Sequence, residues 1–412
     1  MAKALYICYF GLRQPLVQTQ VLPYLRELLK DGHSITLLTF EPEFKNLWTA
    51  DQVAAERANL LNSGIEWHCM PYHKWPSAIA TAYDIFRGVW FVRNIIADKG
   101  IDILHGRVHV PTLMGAIARK FSRRKPKLLF DIRGFFPEEY TDAGIWPEDG
   151  MLYRSAKRIE KWLMKEADGF VVLTEKARQI LFSESLNTSF DKMGRPVEVI
   201  PCCVDFRQFP SENIAARSEM RKKLNVEDRK VLAYVGSFGG WYLTNEMLDF
   251  FTTARESDSK TFALILTQRD KEAIVQRLYK KGFADSDFLV ETVPPSEIAG
   301  YLSAADSAIS FIKACYSKLS SSPTKIAEYL ACGLPIIANS GVGDVDALIN
   351  ENRVGVLIPE FSREAYLQAL AAVSNLGDVN ERCRETAVRE FDLGQVGGER
   401  YRRIYRRLSE KK

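Results

Sequence analysis

Short apolar runs alternate along the whole chain with stretches whose apolar residues recur every three or four positions. That alternation predicts parallel strands joined by amphipathic helices, an α/β class. Residues 4–9 read as a first strand, followed by a polar loop over about 11–20 and a helix over about 21–30. Gly32 and His33 turn the chain into a second strand at 34–40. Further buried strands are predicted at 101–105, 127–132 and 169–173, each followed by a helix, the last of them at 175–182 with Thr174 as its cap. The pattern then restarts with a strand at 231–235 and the glycine-rich loop 236–241. A helix at about 245–255 and strands at 262–267, 288–291 and 307–311 follow. Two such series predict two Rossmann-like domains whose parallel sheets face a central cleft, with ligands at the carboxyl ends of the strands. The 412 residues are enough for two domains of roughly 200 residues each.

Composition narrows the class. A hydrophobic fraction of 46% and a charged fraction of 26% are ordinary for a soluble globular protein. No apolar run approaches the roughly 20 residues that span a bilayer. The first ten residues do not read as a signal peptide, because their apolar run is short and leads into a polar loop. Seven cysteines, an odd number with no C-x-x-C pair, argue for a reducing, cytoplasmic setting. The net charge of +4 has a local focus at Arg119, Lys120, Arg123, Arg124, Lys125 and Lys127, with no acid among them. Such a run is ordinarily a solvated helix end. Its sharper reading is peripheral contact with an anionic membrane at the inner face, at roughly 1 kcal/mol per basic residue. Without interleaved aromatics it does not suggest nucleic acid. The apolar, aromatic stretch 75–92 reads as a core helix, with a lipid-facing surface as the alternative.

The densest chemistry lies in 322–339, SPTKIAEYLACGLPIIAN. Ser322 is the expected N-cap, with Pro323 at the first helical position. Thr324 and Lys325 then occupy the first turn, where free N–H groups and the helix dipole attract anions. Glu328, one turn on, suits a pair of vicinal hydroxyls such as those of a ribose. Gly333 ends the helix and 335–338 begins a buried strand. In the loop 236–240, Gly236, Gly239 and Gly240 with Ser237 would let backbone N–H groups approach a pyrophosphate. On the other side of the expected cleft, His105 and Arg107 close one strand and Arg133 follows another. Gln18, Glu138 and Glu139 lie in neighbouring loops.

The run around Glu328 resembles the nucleotide-sugar signature of retaining GT-B glycosyltransferases, in particular glycosyltransferase family 4. The resemblance implies that Glu328 binds the donor ribose, and that the segment ending at Val293 reads the base through backbone groups. It further implies that His105 and Arg133 border the reaction centre, with Gln18, Arg107, Glu138 and Glu139 on the acceptor. Many relatives carry an Arg and a Lys after the first strand of the second domain. Here Ser237, Trp241 and Tyr242 stand there, which leaves Lys325 as the leaving-group cation and Arg269 as a second. The usual acid beside the sugar is replaced by Ser320. The segment 199–210 resembles the family's Ile-Pro-Asn-Gly-Val-Asp boundary, with Cys202-Cys203 in place of Asn-Gly.

The implied organisation is an acceptor domain at 1–203, a nucleotide-sugar domain at 204–390, and a C-terminal helix at 391–412 bracing the first domain. The implied activity is transfer of a sugar from a nucleotide-diphosphate donor to a saccharide or lipid-linked acceptor, in surface polysaccharide or glycoconjugate synthesis. A sugar-nucleotide epimerase and a non-catalytic nucleotide-sugar-binding protein are the alternatives. No cofactor or metal is expected, since the helix start and Lys325 would carry the charge.

Overall fold

The computed structural model describes residues 1–209 and 214–410. Pro210, at the end of the expected boundary segment, and the final two residues of the expected C-terminal helix lie outside the described residues. Contacts divide the chain into two units, Met1–Pro201 with Leu393–Lys412, and Cys202–Asp392.

The first unit holds a seven-stranded parallel sheet in the order β3-β2-β1-β4-β5-β6-β7. Its strands are β1 Lys3–Cys8, β2 Ser34–Pro42, β3 Ile65–Tyr72, β4 Ile103–Arg107, β5 Lys127–Asp131, β6 Gly169–Val172 and β7 Val197–Val199. Most of these strands are buried on both faces, as expected when helices cover both sides of a parallel sheet. The second unit holds a six-stranded parallel sheet in the order β10-β9-β8-β11-β12-β13. It consists of β8 Lys230–Val235, β9 Thr261–Leu266, β10 Phe288–Glu291, β11 Ser307–Ser310, β12 Ile336–Asn339 and β13 Gly355–Ile358. Separate apolar clusters pack on its two faces, one with Tyr329 and Leu330, the other with Phe250 and Phe311. Strand order reverses at β1/β4 in one unit and at β8/β11 in the other. Loops leaving those strands diverge and open a crevice, so these are the places where each sheet can hold a ligand.

The structure corrects several expectations. The segment 11–20 is not all loop: Pro15–Gln20 is helical, because Pro15 enters at the first turn where its missing N–H costs nothing. The strands β3, β7 and β13, which are short or carry polar residues, were not predicted. The terminal segment is not one helix. Asn380–Phe391 is followed by a π-helical turn at Leu393–Gly398 and then by the helix Glu399–Ser409. Tyr401 and Tyr405 of that last helix are fully buried in the first unit.

The Arg119–Lys127 cluster is also not the unopposed charge its sequence suggests. Arg119 pairs with Asp168 at 2.6 Å and Lys120 with Glu166 at 2.7 Å. Arg124 pairs with Asp102 at 2.5 Å and Lys127 with Asp168 at 3.2 Å. The acids come from distant parts of the chain, so a local count of charge missed them.

Candidate active site

In the second unit, β8 ends in a loop that only glycine can begin. Gly236 has φ +139°, and a Cβ there would fall 2.7 Å from Nζ of Lys325. Its N–H donates to the Leu266 carbonyl at 2.9 Å, which pins the loop to β9. Gly239 and Gly240, both at positive φ, make the turn that lets Tyr242 N–H return to the Gly239 carbonyl at 3.0 Å. Tyr242 then bridges to Ile312 beyond β11, closing the loop over the switch point.

Beneath it lies Lys325, 6% exposed, in the first turn of the helix Thr324–Ala331. Its ammonium is 4.2 Å from the ring centres of both Tyr234 and Tyr242, and donates to the Tyr234 hydroxyl at 3.1 Å. Two π faces stabilise a cation but return less than the lost hydration. Burial therefore pulls the Lys325 ammonium down to about 7, with Glu328 opposing the shift. Burial likewise pushes the Glu328 carboxyl up to about 7, with Lys325 opposing. Both groups bind a proton near neutrality, and an anion beside Lys325 would restore its charge.

A second buried cation lies close in sequence. Lys318, 7% exposed, places its ammonium 4.0 Å from the Trp241 ring, while its carbonyl accepts from Gly343 N–H at 2.8 Å. Thus Tyr234, Trp241 and Tyr242, at and beside this loop, hold two lysines arriving from elsewhere in the chain. Sequence reading missed Tyr234 and the pairing of Lys318 with Trp241. Tyr234 could have been suspected as the one hydroxyl in an otherwise aliphatic strand.

The other donor-side candidates fall less simply. Ser322 is not the N-cap: the cap is Pro323, without a side-chain bond, and the Ser322 hydroxyl accepts from Cys202 N–H at 3.0 Å. The helix begins one residue late because Pro323 holds an extended ψ of 117°. Thr324 opens the helix, and its first-turn N–H groups have no capping side chain. The Ser320 hydroxyl donates to the Ser317 carbonyl at 2.7 Å and is 2% exposed. The Val293 carbonyl already accepts from the Gln268 amide at 2.6 Å. Arg269 is exposed beyond β9, while Lys325 is buried. Ser237 is exposed in the loop, and its carbonyl accepts from the Tyr234 hydroxyl at 2.5 Å.

In the first unit the loops after β1, β4 and β5 surround a cavity of about 600 Å³ walled by Tyr9, Tyr72, Phe136 and Tyr140, with Arg107, Arg133 and Glu139 at its polar side. Val108 follows β4 with φ +69°, a conformation costly for a β-branched residue. Its N–H donates to the Asp131 carbonyl at 2.9 Å. Asp131 itself, which sequence reading did not single out, organises the floor. Its Oδ2 accepts from the Tyr401 hydroxyl at 2.8 Å and lies 3.3 Å from His105 Nε2, 3.3 Å from Arg133 Nε and 3.8 Å from Arg107 Nη1. Burial alone would raise this carboxyl, but Arg133, His105 and Arg107 hold it well below the usual range.

His105 is corrected by this network. It is completely buried, with Nδ1 on the Tyr405 hydroxyl at 2.9 Å and Nε2 toward Asp131, and burial lowers its affinity for a proton. A ring engaged at both nitrogens and shut off from solvent is placed to brace the sheet. Glu138 is likewise diverted: it accepts from Tyr153 at 3.2 Å and pairs with Lys157 at 2.9 Å. Gln18 is exposed, and its amide donates to the Leu12 carbonyl at 2.7 Å. Glu139 remains on the cavity wall, its carboxylate beside Gly134.

Two Asp-x-Asp sequences occur, and both have structural partners. Asp287 is held by Arg229 and Arg255 at 3.1 Å each, and Asp285 accepts from Tyr279. Asp346 accepts from Gly341 N–H at 3.1 Å. Among the described residues no three His, Cys, Asp or Glu side chains gather as metal ligands would.

The family model for Glycosyltransferase Family 4 matches residues 17–208, and that for Glycosyl transferases group 1 matches residues 216–390. No curated protein matches the chain in sequence. Among solved structures, a glycosyltransferase from Rickettsia africae is similar over 100% of this chain and 99% of its own, with 15% identity and a TM-score of 0.70. Anabaena HepE in complex with UDP is similar over 98% of this chain and 100% of its own, with 14% identity and a TM-score of 0.69. WaaG, a glycosyltransferase involved in lipopolysaccharide biosynthesis, is similar over 98% and 99%, with 16% identity and a TM-score of 0.64. These likenesses agree with the two parallel sheets in showing the GT-B fold. With both halves matched by their family models, the chain belongs to glycosyltransferase family 4 and is a glycosyltransferase of GT-B fold.

Proposed function

We propose that the protein is a retaining hexosyltransferase that takes its sugar from a nucleoside-diphosphate donor held in the second unit. The observation that carries this reading is Lys325, buried between two tyrosine rings under the Gly236 loop, with Glu328 one turn further along the helix. The diphosphate would meet the uncapped helix start, the Gly236–Gly240 backbone and the Lys325 ammonium, with Lys318 nearby; Glu328 would accept from the ribose hydroxyls. Anabaena HepE has been solved with UDP-glucose, which supports this class of donor. The acceptor, a saccharide or lipid-linked hydroxyl, would occupy the aromatic cavity of the first unit, with Arg133, Arg107 and Glu139 on its polar groups. WaaG's part in lipopolysaccharide synthesis supports a surface glycoconjugate as the product class. Such work belongs at the cytoplasmic face of a membrane.

No carboxylate stands at Ser320 to serve as a nucleophile. Retention would then follow from attack on the face the leaving group departs from. The acceptor oxygen bonds to the anomeric carbon as the carbon–phosphate oxygen bond breaks, and the hydroxyl proton passes to the departing phosphate. The same absence removes the carboxylate an epimerase would need there.

Two measurements test the donor assignment. Glu328→Ala should weaken binding of UDP or its relatives by about 1.5–3 kcal/mol, read by calorimetry on a folded variant; unchanged affinity would remove Glu328 from the ribose. Activity should persist in EDTA, because helix N–H groups and lysines supply the charge. A complete loss restored by Mg²⁺ or Mn²⁺ would show that a metal shares that task.

A further inference from the structure

The helix Ser77–Lys99, expected as a core helix, is only half covered. Its inner face buries Ala80, Asp84, Gly88, Val92, Ile95 and Ile96. Its outer face exposes Ile79 by 70%, Tyr83 by 48%, Phe86 by 63% and Trp90 by 51%. Spacings of four, three and four residues put these side chains in one stripe. Trp75, just before the helix and 81% exposed, extends the stripe at one end; Phe121, from the end of the following helix and 70% exposed, widens it at the other. Between them runs a shallow apolar groove of about 510 Å³, floored by Ile85, Val89 and Ile117.

Charge decides what such a face fits. Along the aromatic part of the helix and just before it the exposed charges are Lys74 and Arg87, both basic; the exposed acid of the helix, Asp98, lies in its last turn, beyond Trp90. The other acid, Asp84, is 1% exposed and accepts from the Tyr9 hydroxyl at 2.6 Å and the His73 N–H at 2.9 Å. Arg87 lies 5.9 Å from the Tyr83 ring and Arg93 5.4 Å from the Trp90 ring. The cationic heads thus sit beside the aromatic stripe, where they can meet headgroup phosphates while the rings enter the interface. The 23-residue helix is about 34 Å long, and no helix among the described residues is long and apolar enough to cross a membrane. Its geometry is that of a helix lying in the plane of the surface.

We propose that this face docks the first unit on an anionic bilayer. The docking surface is the aromatic stripe with Lys74, Arg87 and Arg93, and not the Arg119–Lys127 cluster, most of whose charge is already paired. Ser77 and Thr81, on the same helix, line the cavity assigned to the acceptor. A lipid-linked acceptor would therefore reach that cavity along the docked helix; this last step rests on the proposed transferase reading, whereas docking does not.

The test is co-sedimentation of the full chain with vesicles of phosphatidylcholine, with and without phosphatidylglycerol. Wild type should bind the anionic vesicles and release as salt rises, since screening shortens the reach of surface charge to about 8 Å at physiological ionic strength. Replacing Phe86 and Trp90 together by Ser should lower partitioning about tenfold or more. Replacing Lys74 and Arg87 together by Ser should lower it roughly 25-fold on anionic vesicles and leave neutral ones unaffected. UDP binding should be unchanged in both variants, because Lys325 and Glu328 lie in the other unit. Failure of the wild type to bind at low salt, equal binding to neutral vesicles, or a dimer in solution that the Phe86/Trp90 change dissolves would each overturn the proposal. Vesicle binding without any UDP binding would leave docking intact and remove the donor reading instead.

Discussion

Turnover of Lys325→Met should fall about a hundredfold to a thousandfold, while binding of the nucleoside alone changes little. Negative charge grows on the diphosphate as the glycosidic bond breaks, so a cation beside it is worth more in the transition state than in the ground state. The same change should leave stability level or raise it. Burial lowers the Lys325 proton affinity, which means the folded protein bears a cost for the charged form below about pH 7. That cost disappears as pH rises through about 7 toward the unfolded value, and Met abolishes it at every pH. The pair with Glu328 adds a signature. At pH 8 the free protein holds Lys325 largely neutral, and a bound diphosphate should draw a proton onto it. At pH 6 Lys325 is already charged, whereas Glu328 is largely protonated and should lose its proton to accept from ribose hydroxyls. Calorimetry in buffers of different ionisation heat should show net proton uptake on UDP binding at pH 8 and release at pH 6. Lys325→Met should abolish only the uptake. Near-normal turnover in that variant would move the leaving-group cation to Lys318.

Asp131→Ala should destabilise the first unit by about 3–5 kcal/mol. It leaves Arg107 and Arg133 buried without their shared carboxylate and frees the Tyr401 hydroxyl, one of the bonds tying the last helix to β5. Asp131→Asn, which can still accept from Tyr401, should cost less. Because Arg133, His105 and Arg107 hold the folded carboxyl below its unfolded value of about 3.9, its contribution is fully present above that pH and fades as pH falls below it. Urea unfolding of the full chain should therefore show the wild-type and Asp131→Ala curves converging in acid. UDP binding by the second unit should survive in the variant. Equal stability at pH 7 would mean that the two arginines find other anions.

Much of the scaffold was legible before any coordinates. Apolar runs and amphipathic periods are local, and they located β1, β2, β4–β6 and β8–β11 to within a residue or two. They also placed Lys325 and Glu328 near the start of a helix. The missed strands β3 and β7 contain Glu66 and Glu198, whose charges break an apolar run. Glu66 is held by Lys99, and Glu198 by Arg403 and Arg407.

Side-chain roles were less legible, because each depends on partners far along the chain. His105 looked catalytic as the end of a strand; Tyr405, 300 residues away, makes it a brace. The basic cluster looked unopposed until Asp102, Glu166 and Asp168 closed on it. The stretch 75–92 looked like core because an apolar sequence carries no record of which face will be covered. Residue order alone was enough for two parallel α/β units, the helix that carries Lys325 and Glu328, and the family to which they belong, since these follow from backbone propensity and short-range spacing. The proton affinity of Lys325, the network on Asp131 and the open aromatic stripe were decided by tertiary packing. Burial and charge pairing are properties of neighbours in space, and folding alone chooses those neighbours.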